Sequence, residues 1–299
     1  LGNLSFLKKS YKYVREEKPD ILIANSFLAS SLLPLILTKA IKIGIIHDLH
    51  DSCHMPNRNG AKPVVRAMEL WEKLAIRLIK LNKIGVINPS VKSTLIKGGH
   101  PEDKIVVVGN GVDIDVYPFC ANKVPYSLIY IGRLAEFKEV RSLVDVAFII
   151  KKKIPNITLH IIGDGPKYKE VQKRIKELKM SSNVIMHGYL TEREKIKLLM
   201  NSAIYVSNSK LEGFGIPLVE AMATGTVPVV SDIYAHRFVF QDEKVGYLVR
   251  NNEEMAARIV ELLANDPKRL QLAQNGRKLV ERKWTWARVS EKYRELLQT

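Results

Sequence analysis

The stretch Lys210-Leu211-Glu212-Gly213-Phe214-Gly215-Ile216-Pro217-Leu218-Val219-Glu220-Ala221-Met222-Ala223 joins the end of a β-branched strand to the start of a helix through a glycine-rich turn. The strand is expected at Ala203–Val206 and the helix at Pro217–Ala223, with Pro217 suited to a first helical turn. Amides at such a start lack intrahelical partners and sit at the positive end of the helix dipole, so the turn favours a phosphate. Glu212 lies just before the turn and Glu220 about one turn into the helix. A carboxylate accepts two hydrogen bonds from neighbouring hydroxyls, so this pair suits a ribose or hexose beside a phosphate. Taken singly, Glu212 reads equally well as a loop acid, and Glu220 as an acid favoured by the dipole. The whole run, with its glycines and proline, is much less easily assigned to folding alone.

A second constellation, Gly132-Arg133-Leu134-Ala135-Glu136-Phe137-Lys138, directly follows a strand expected at Ser127–Ile131. From a strand-to-helix loop, Arg133 and Lys138 can both reach a diphosphate and neutralise charge that builds on a departing nucleotide. Away from a strand end they would read as two solvated surface cations.

Outward from these segments, short β-branched runs alternate with longer amphipathic ones, the pattern of a parallel α/β protein. In the front part strands are expected at Asp20–Ala24, Lys42–His47, Lys83–Asn88 and Lys104–Val108. Helices are expected at Leu4–Glu17, Ser26–Lys39, Val64–Leu81 and Val91–Gly98. After a polar stretch at Phe119–Pro125 the alternation restarts, with further strands at Thr158–Ile162, Val184–His187 and Pro228–Ser231. Helices at Val140–Lys153, Lys167–Leu178, Glu192–Met200, Asn252–Ala264, Pro267–Val280 and Trp286–Leu297 complete it. Two such domains imply a cleft, with ligands beyond the carboxyl ends of the strands.

The chain has 299 residues, enough for two domains. Its formal charge of +16, from 47 basic and 31 acidic residues, suits a polyanion, an anionic membrane or a phosphorylated ligand. The surplus is spread along the chain, without an arginine-rich arm or a basic run interleaved with aromatics, so nucleic acid is not expected as a partner. Cys53 and Cys120 read as reduced, intracellular thiols. The apolar stretch Ile21–Leu37 is interrupted by polar residues and is short for a membrane span, which needs about 20 apolar residues. No basic-then-apolar leader is expected ahead of the fold within these residues.

With these motifs in this order, the chain resembles the group 1 (family 4) glycosyltransferases, retaining enzymes of the GT-B fold with two Rossmann-like domains facing a cleft. Glu212 and Glu220 match the family's two glutamates separated by seven residues, and Gly132-Arg133 with Lys138 its Arg/Lys pair. Gly109-Asn110-Gly111-Val112-Asp113 matches its interdomain turn, and Gly163-Asp164-Gly165-Pro166 and His187-Gly188-Tyr189 fall where it has comparable strings. The resemblance implies that Arg133 and Lys138 bind the donor diphosphate, Glu220 the ribose, and Glu212 the transferred sugar. Gly213, Phe214, Gly215, Ile216, Pro217, Leu218, Val219, Gly132 and Gly163 would line the donor, with His187-Gly188 bordering the base through its backbone. His47 matches a histidine near the reacting centre. His47 with Asp48, His50 and Asp51 fits no metal-ligand spacing, and the family needs neither a metal nor a cofactor, the nucleotide-diphosphate sugar being the donor substrate.

The resemblance also places an acceptor-side domain at 1–120, completed by a C-terminal helix at 285–299, and a donor-binding domain at 121–284. Two positions depart from it. The lysine of the Arg/Lys pair is followed by Glu139 instead of glycine, which adds negative charge near the diphosphate. The chain also opens with a helix, without the family's first strand and glycine loop, so the first domain is expected to be incomplete. That leaves open a fragment, a compact variant, or an oligomer in which another chain supplies the missing part. The function expected is transfer of a sugar to a glycan or lipid-linked acceptor by a cytoplasmic enzyme, with peripheral contact at the inner face of an anionic membrane. The alternative is a nucleotide-sugar-binding subunit that needs a partner.

Overall fold

The computed structural model describes residues 9, 12–24, 39–46, 79, 81–241 and 243–298. His47, Asp48, His50, Asp51, Cys53 and His54 lie outside the described residues, as do most of the helices expected at Ser26–Lys39 and Val64–Leu81. The chain divides into two units, Leu1–Gly109 with Val289–Thr299 and Asn110–Arg288.

In the first unit four parallel strands run in the order β1-β2-β3-β4: β1 (Ile21–Ala24), β2 (Ile41–Ile46), β3 (Lys83–Val86) and β4 (Ile105–Val107). Their β-branched residues suit a pleated surface that is covered on its faces. Helix α1 (Pro89–Lys97) connects β3 to β4; the Asn88 side chain accepts from the Val91 amide at its start, and Pro89 opens the first turn. Ile43, Ile45 and Val108 form a core with Leu296, which comes from the C-terminal helix. The end of the chain therefore returns to complete the first unit.

The second unit alternates strand and helix almost without interruption. β5 (Ser127–Ile131), α2 (Val140–Lys151), β6 (Thr158–Ile162), α3 (Tyr168–Glu177), β7 (Val184–Gly188), α4 (Glu192–Asn201) and β8 (Ile204–Ser207) come first. α5 (Ile216–Ala223), β9 (Val227–Ser231), α6 (Tyr234–Phe240), β10 (Tyr247–Val249), α7 (Asn252–Leu263) and α8 (Asp266–Leu279) follow, and from Val289 onward the last helix, α9 (Trp286–Leu297), belongs to the first unit. The strands are all parallel, in the order β10-β9-β8-β5-β6-β7. Every residue of β5 is buried. Val140, Leu143, Val144, Val146, Ala147 and Ile150 turn one face of α2 onto the sheet, each larger side chain contributing about 1.5–3 kcal/mol by leaving water.

The strand order reverses between β5 and β8, so the loops after these two strands open onto one crevice at their carboxyl ends. Those loops are Gly132–Lys138 and the stretch around Glu212, the two segments singled out in the sequence. The division between units falls at Gly109/Asn110, ahead of the polar stretch at Phe119–Pro125. Residues beyond Gly109 are already tied to the second unit: Val112 bridges Thr285, its amide donates to Trp284 O (2.8 Å), and Trp286 N donates to Val112 O (3.2 Å). Lys123 acts similarly, donating to Met200 O, Thr224 O and Thr226 Oγ1 at the ends of α4 and α5. Burial pushes its pKa down to about 7, and the carbonyl groups of two helix ends accept its hydrogen bonds. The short elements α6 and β10, with the 3-10 turns at Glu102–Lys104 and Glu136–Lys138, were not legible as periodic segments.

Candidate functional site

The loop after β5 is held open by its backbone. Leu134 is fully buried, its amide donating to Asp164 O (2.9 Å), and the Tyr130 hydroxyl donates to Arg133 O (3.2 Å). The Arg133 side chain is exposed and has no hydrogen bond or ion pair among the described residues. The 3-10 turn then swings Lys138 back, so that its Nζ lies 2.5 Å from Glu212 Oε2, with both side chains about 15% exposed. Lys210 N donates to Phe137 O (2.8 Å) and ties the two loops together. Glu139 occupies a left-handed conformation (φ 49°) at the head of α2, a backbone region that favours glycine and costs other residues roughly 1–2 kcal/mol. Its carboxylate is bound by the ammonium of Lys210, which offsets the charge it brings.

The loop after β8 is fixed from beneath. Glu212 Oε1 accepts from Ser209 Oγ (2.7 Å), and Ser209 O in turn accepts from Ser231 Oγ (2.6 Å). Phe214 is buried edge-on against Trp284 (5.2 Å between centroids) and near Phe238. Gly215, at φ 92°, makes the left-handed turn into α5, which begins without a side-chain cap. Leu218 N and Val219 N both donate to Gly215 O, and Pro217 has no amide proton. The amides that this helix start offers to an anion therefore narrow to Gly215 and Ile216. The side chains of Phe214, Leu218 and Val219 are buried in the core, so these residues can meet a ligand only through their backbone.

Glu220 is 6% exposed, and its two oxygens differ. Oε1 accepts from Tyr117 Oη (2.7 Å) and Lys195 Nζ (3.0 Å), while Oε2 is buried without a partner. A buried carboxylate oxygen with no donor costs free energy, which a ligand hydroxyl would relieve. Tyr205, buried on β8, has its hydroxyl pKa raised by burial and further by the charges of Glu212 and Glu220, so both carboxylates act on one strand end. On the other side of the switch point, Gly132, Gly163 and Gly188 lie at the ends of β5, β6 and β7. Gly163 N donates to Gly188 O (2.8 Å), and a side chain on Gly163 would come within 2.0 Å of Gly132 O. His187 Nε2 is 3.0 Å from His160 Nδ1, and burial lowers the pKa of both imidazoles.

The structure thus brings Lys138 onto Glu212, leaves Arg133 exposed at the same loop, and buries Glu220 one turn into α5. His47 lies outside the described residues. Sequence reasoning missed Tyr117 and Lys195, which donate to Glu220 Oε1, and Glu192, which contacts both of them. The Glu192-x-x-Lys195 spacing signals only a helix-surface pair, and nothing local shows that it faces Glu220. Among the described residues no group of three or more His, Cys, Asp or Glu is placed to hold a metal.

The family described as glycosyl transferases group 1 matches residues 120–279, and that described as glycosyltransferase family 4 matches residues 1–116. A poly(ribitol-phosphate) alpha-N-acetylglucosaminyltransferase of Staphylococcus aureus is 30% identical over 57% of this chain and 35% of its own length. A phosphatidyl-myo-inositol mannosyltransferase of Mycobacterium tuberculosis is 28% identical over 65% of this chain and 54% of its own. The matches thus span between about a third and a half of these relatives. The solved sucrose-phosphate synthase of Thermosynechococcus elongatus superposes on 98% of this chain and 77% of its own, with a TM-score of 0.82 at 19% identity, a likeness of fold.

Proposed function

Because this chain belongs to the group 1 glycosyl transferases, with two parallel α/β units of the GT-B kind, we propose that it moves a sugar from a nucleoside-diphosphate sugar to a glycan or lipid-linked acceptor, with retention at the anomeric carbon. The observation that carries the reading is the pairing of Lys138 with Glu212 at one strand end, together with the unpartnered Oε2 of Glu220 on the adjoining helix. In this reading Oε2 accepts from a ribose hydroxyl, and the amides of Gly215 and Ile216 face the diphosphate. Gly132, Gly163 and the backbone of His187-Gly188 border the nucleoside.

The bond from the anomeric carbon to the diphosphate oxygen breaks while the acceptor oxygen bonds to the same face. The acceptor's proton passes to the departing phosphate. Negative charge therefore grows on the diphosphate, where Lys138 and Arg133 stabilise it without a dedicated metal. Lys138 is preorganised by Glu212, and Glu212 is fixed by Ser209, so neither has to be ordered when the donor arrives. Both alpha-linked products and lipid-bound acceptors occur in the names of the relatives, which supports the stereochemistry and acceptor class proposed.

A thermal-shift panel of UDP-, GDP-, ADP- and dTDP-sugars tests the reading, with Glu220→Ala as control. One class of donor is expected to stabilise the protein, and the variant is expected to lose that stabilisation. No shift with any donor would sink the donor assignment. Docking on an anionic membrane is a separate proposal, supported by the net charge of +16. Co-sedimentation with vesicles containing anionic lipid is expected at low salt and is expected to fall as salt rises. Equal sedimentation with neutral vesicles would rule it out.

A further inference from the structure

Glu220, Tyr117, Lys195 and Glu192 form one polar cluster, in which Tyr117 and Lys195 contact Glu220 Oε1. Lys195 Nζ lies 3.0 Å from that oxygen, 2.9 Å from Tyr117 Oη and 2.9 Å from Glu192 Oε1. Tyr117 Oη in turn touches both carboxylates. A phenol carries one proton, so Tyr117 can donate to only one of the two glutamates at a time. Burial, with the two carboxylates, raises the tyrosine pKa, so it stays a donor. An ammonium carries three protons, and the three acceptors around Lys195 use all of them. Lys195 is thus the group that ties both carboxylates at once, and it is 15% exposed.

The other half of the frame is rigid. Arg277 Nη1 donates to Tyr117 O (2.8 Å) and Ala223 O (3.0 Å), which locks the tyrosine to the end of α5. The Lys195 ammonium also lies 5.4 Å from the centroid of the Tyr117 ring. With Oε1 saturated and fixed from two elements, the carboxylate plane of Glu220 is set and Oε2 remains for an incoming hydroxyl.

Resting on the donor reading above, we propose that Lys195 is a positioning residue of the nucleotide site, which fixes Glu220 by its Oε1 so that Oε2 is presented to a ribose hydroxyl. Lys195 itself does not touch the donor. Without it, two like charges converge on a single phenolic proton and Glu220 is free to rotate away from its partner. The device makes recognition of the sugar hydroxyls depend on a helix, α4, that lies outside the two loops expected to bind the donor.

The test is calorimetric titration of the full chain with UDP, GDP and ADP, each beside its 2′-deoxy and 3′-deoxy counterpart. Wild type is expected to bind one of the three diphosphates and to prefer it over at least one deoxy form. Lys195→Met is expected to weaken binding of the ribose form by about tenfold or more, the scale of a charge-assisted hydrogen bond, and to lose the preference over the deoxy form. Lys195→Arg, which keeps the charge, is expected to recover most of both. Lys197→Met, exposed on the same helix, is expected to match wild type. If Lys195→Met keeps the wild-type preference, or loses stability with the preference intact, the proposal is overturned while the donor reading stands. If wild type binds no diphosphate, both fall.

Discussion

Replacing Lys138 with methionine is expected to lower the rate of sugar transfer by roughly 10²–10³-fold, the range seen when one charged or hydrogen-bonding stabiliser of a developing anion is removed. Methionine keeps the aliphatic length of lysine, so the packing around Phe137 should survive while the charge does not. A second effect has to be separated from the first. Lys138 is the cationic partner of Glu212, and removing it leaves a carboxylate that is only 14% exposed with the Ser209 hydroxyl as its remaining donor among the described residues. Breaking a partly buried pair from one side destabilises, because the remaining charge is uncompensated. The double variant Lys138→Met with Glu212→Gln removes both charges and is expected to regain most of the lost stability. It is not expected to regain activity. If the double variant transferred sugar like the wild type, Lys138 would be a structural residue and the charge-stabilisation role would be wrong.

Trp284→Ala is expected to cost about 3–5 kcal/mol, the range for deleting a large buried aromatic side chain. The indole is 1% exposed, its Nε1–H donates to Val239 O (3.0 Å), and its ring stands edge-on to Phe214 and Phe238. Such pairs contribute beyond the area they bury. Because Phe214 belongs to the loop that carries Glu212, the cavity should loosen the donor site as well as the core. Chemical denaturation, followed with and without the stabilising donor, measures both effects. Trp284→Phe retains most of the packing and should lose less of either. A loss below about 1 kcal/mol for Trp284→Ala would mean that the cavity collapses freely, against the close packing of this cluster. Donor binding unchanged in a destabilised variant would show that the loop does not depend on Phe214.

How far the sequence carried depends on the range of the interactions. The two α/β units followed from local periodicity: β-branched runs such as Ser127–Ile131 and amphipathic runs such as Val140–Lys151 declare themselves within a dozen residues. The glycine-rich turn, Pro217 and the spacing of Glu212 and Glu220 were likewise local, and they point to an anion beside hydroxyls without any coordinates. The short elements α6 and β10 escaped because a seven-residue helix and a three-residue edge strand are too brief to show a period.

Only the tertiary structure decided which of these residues meet. Lys138 reaches Glu212 because β5 and β8 are neighbours across the switch in strand order, a pairing that no local signal encodes. Glu139 looked like a charge in the wrong place, and its φ of 49° and its ion pair with Lys210 are consequences of how two loops converge. Phe214, Leu218 and Val219 sit inside a motif that reads as a binding loop, yet their side chains are core, because the start of α5 is packed on the sheet. Tyr117, Lys195 and Glu220 are separated by up to 103 residues and share one oxygen. Periodicity and motif report what a segment does with its own neighbours; contacts between distant segments are set by the burial of the whole sheet, and they exist only once the chain has closed on itself.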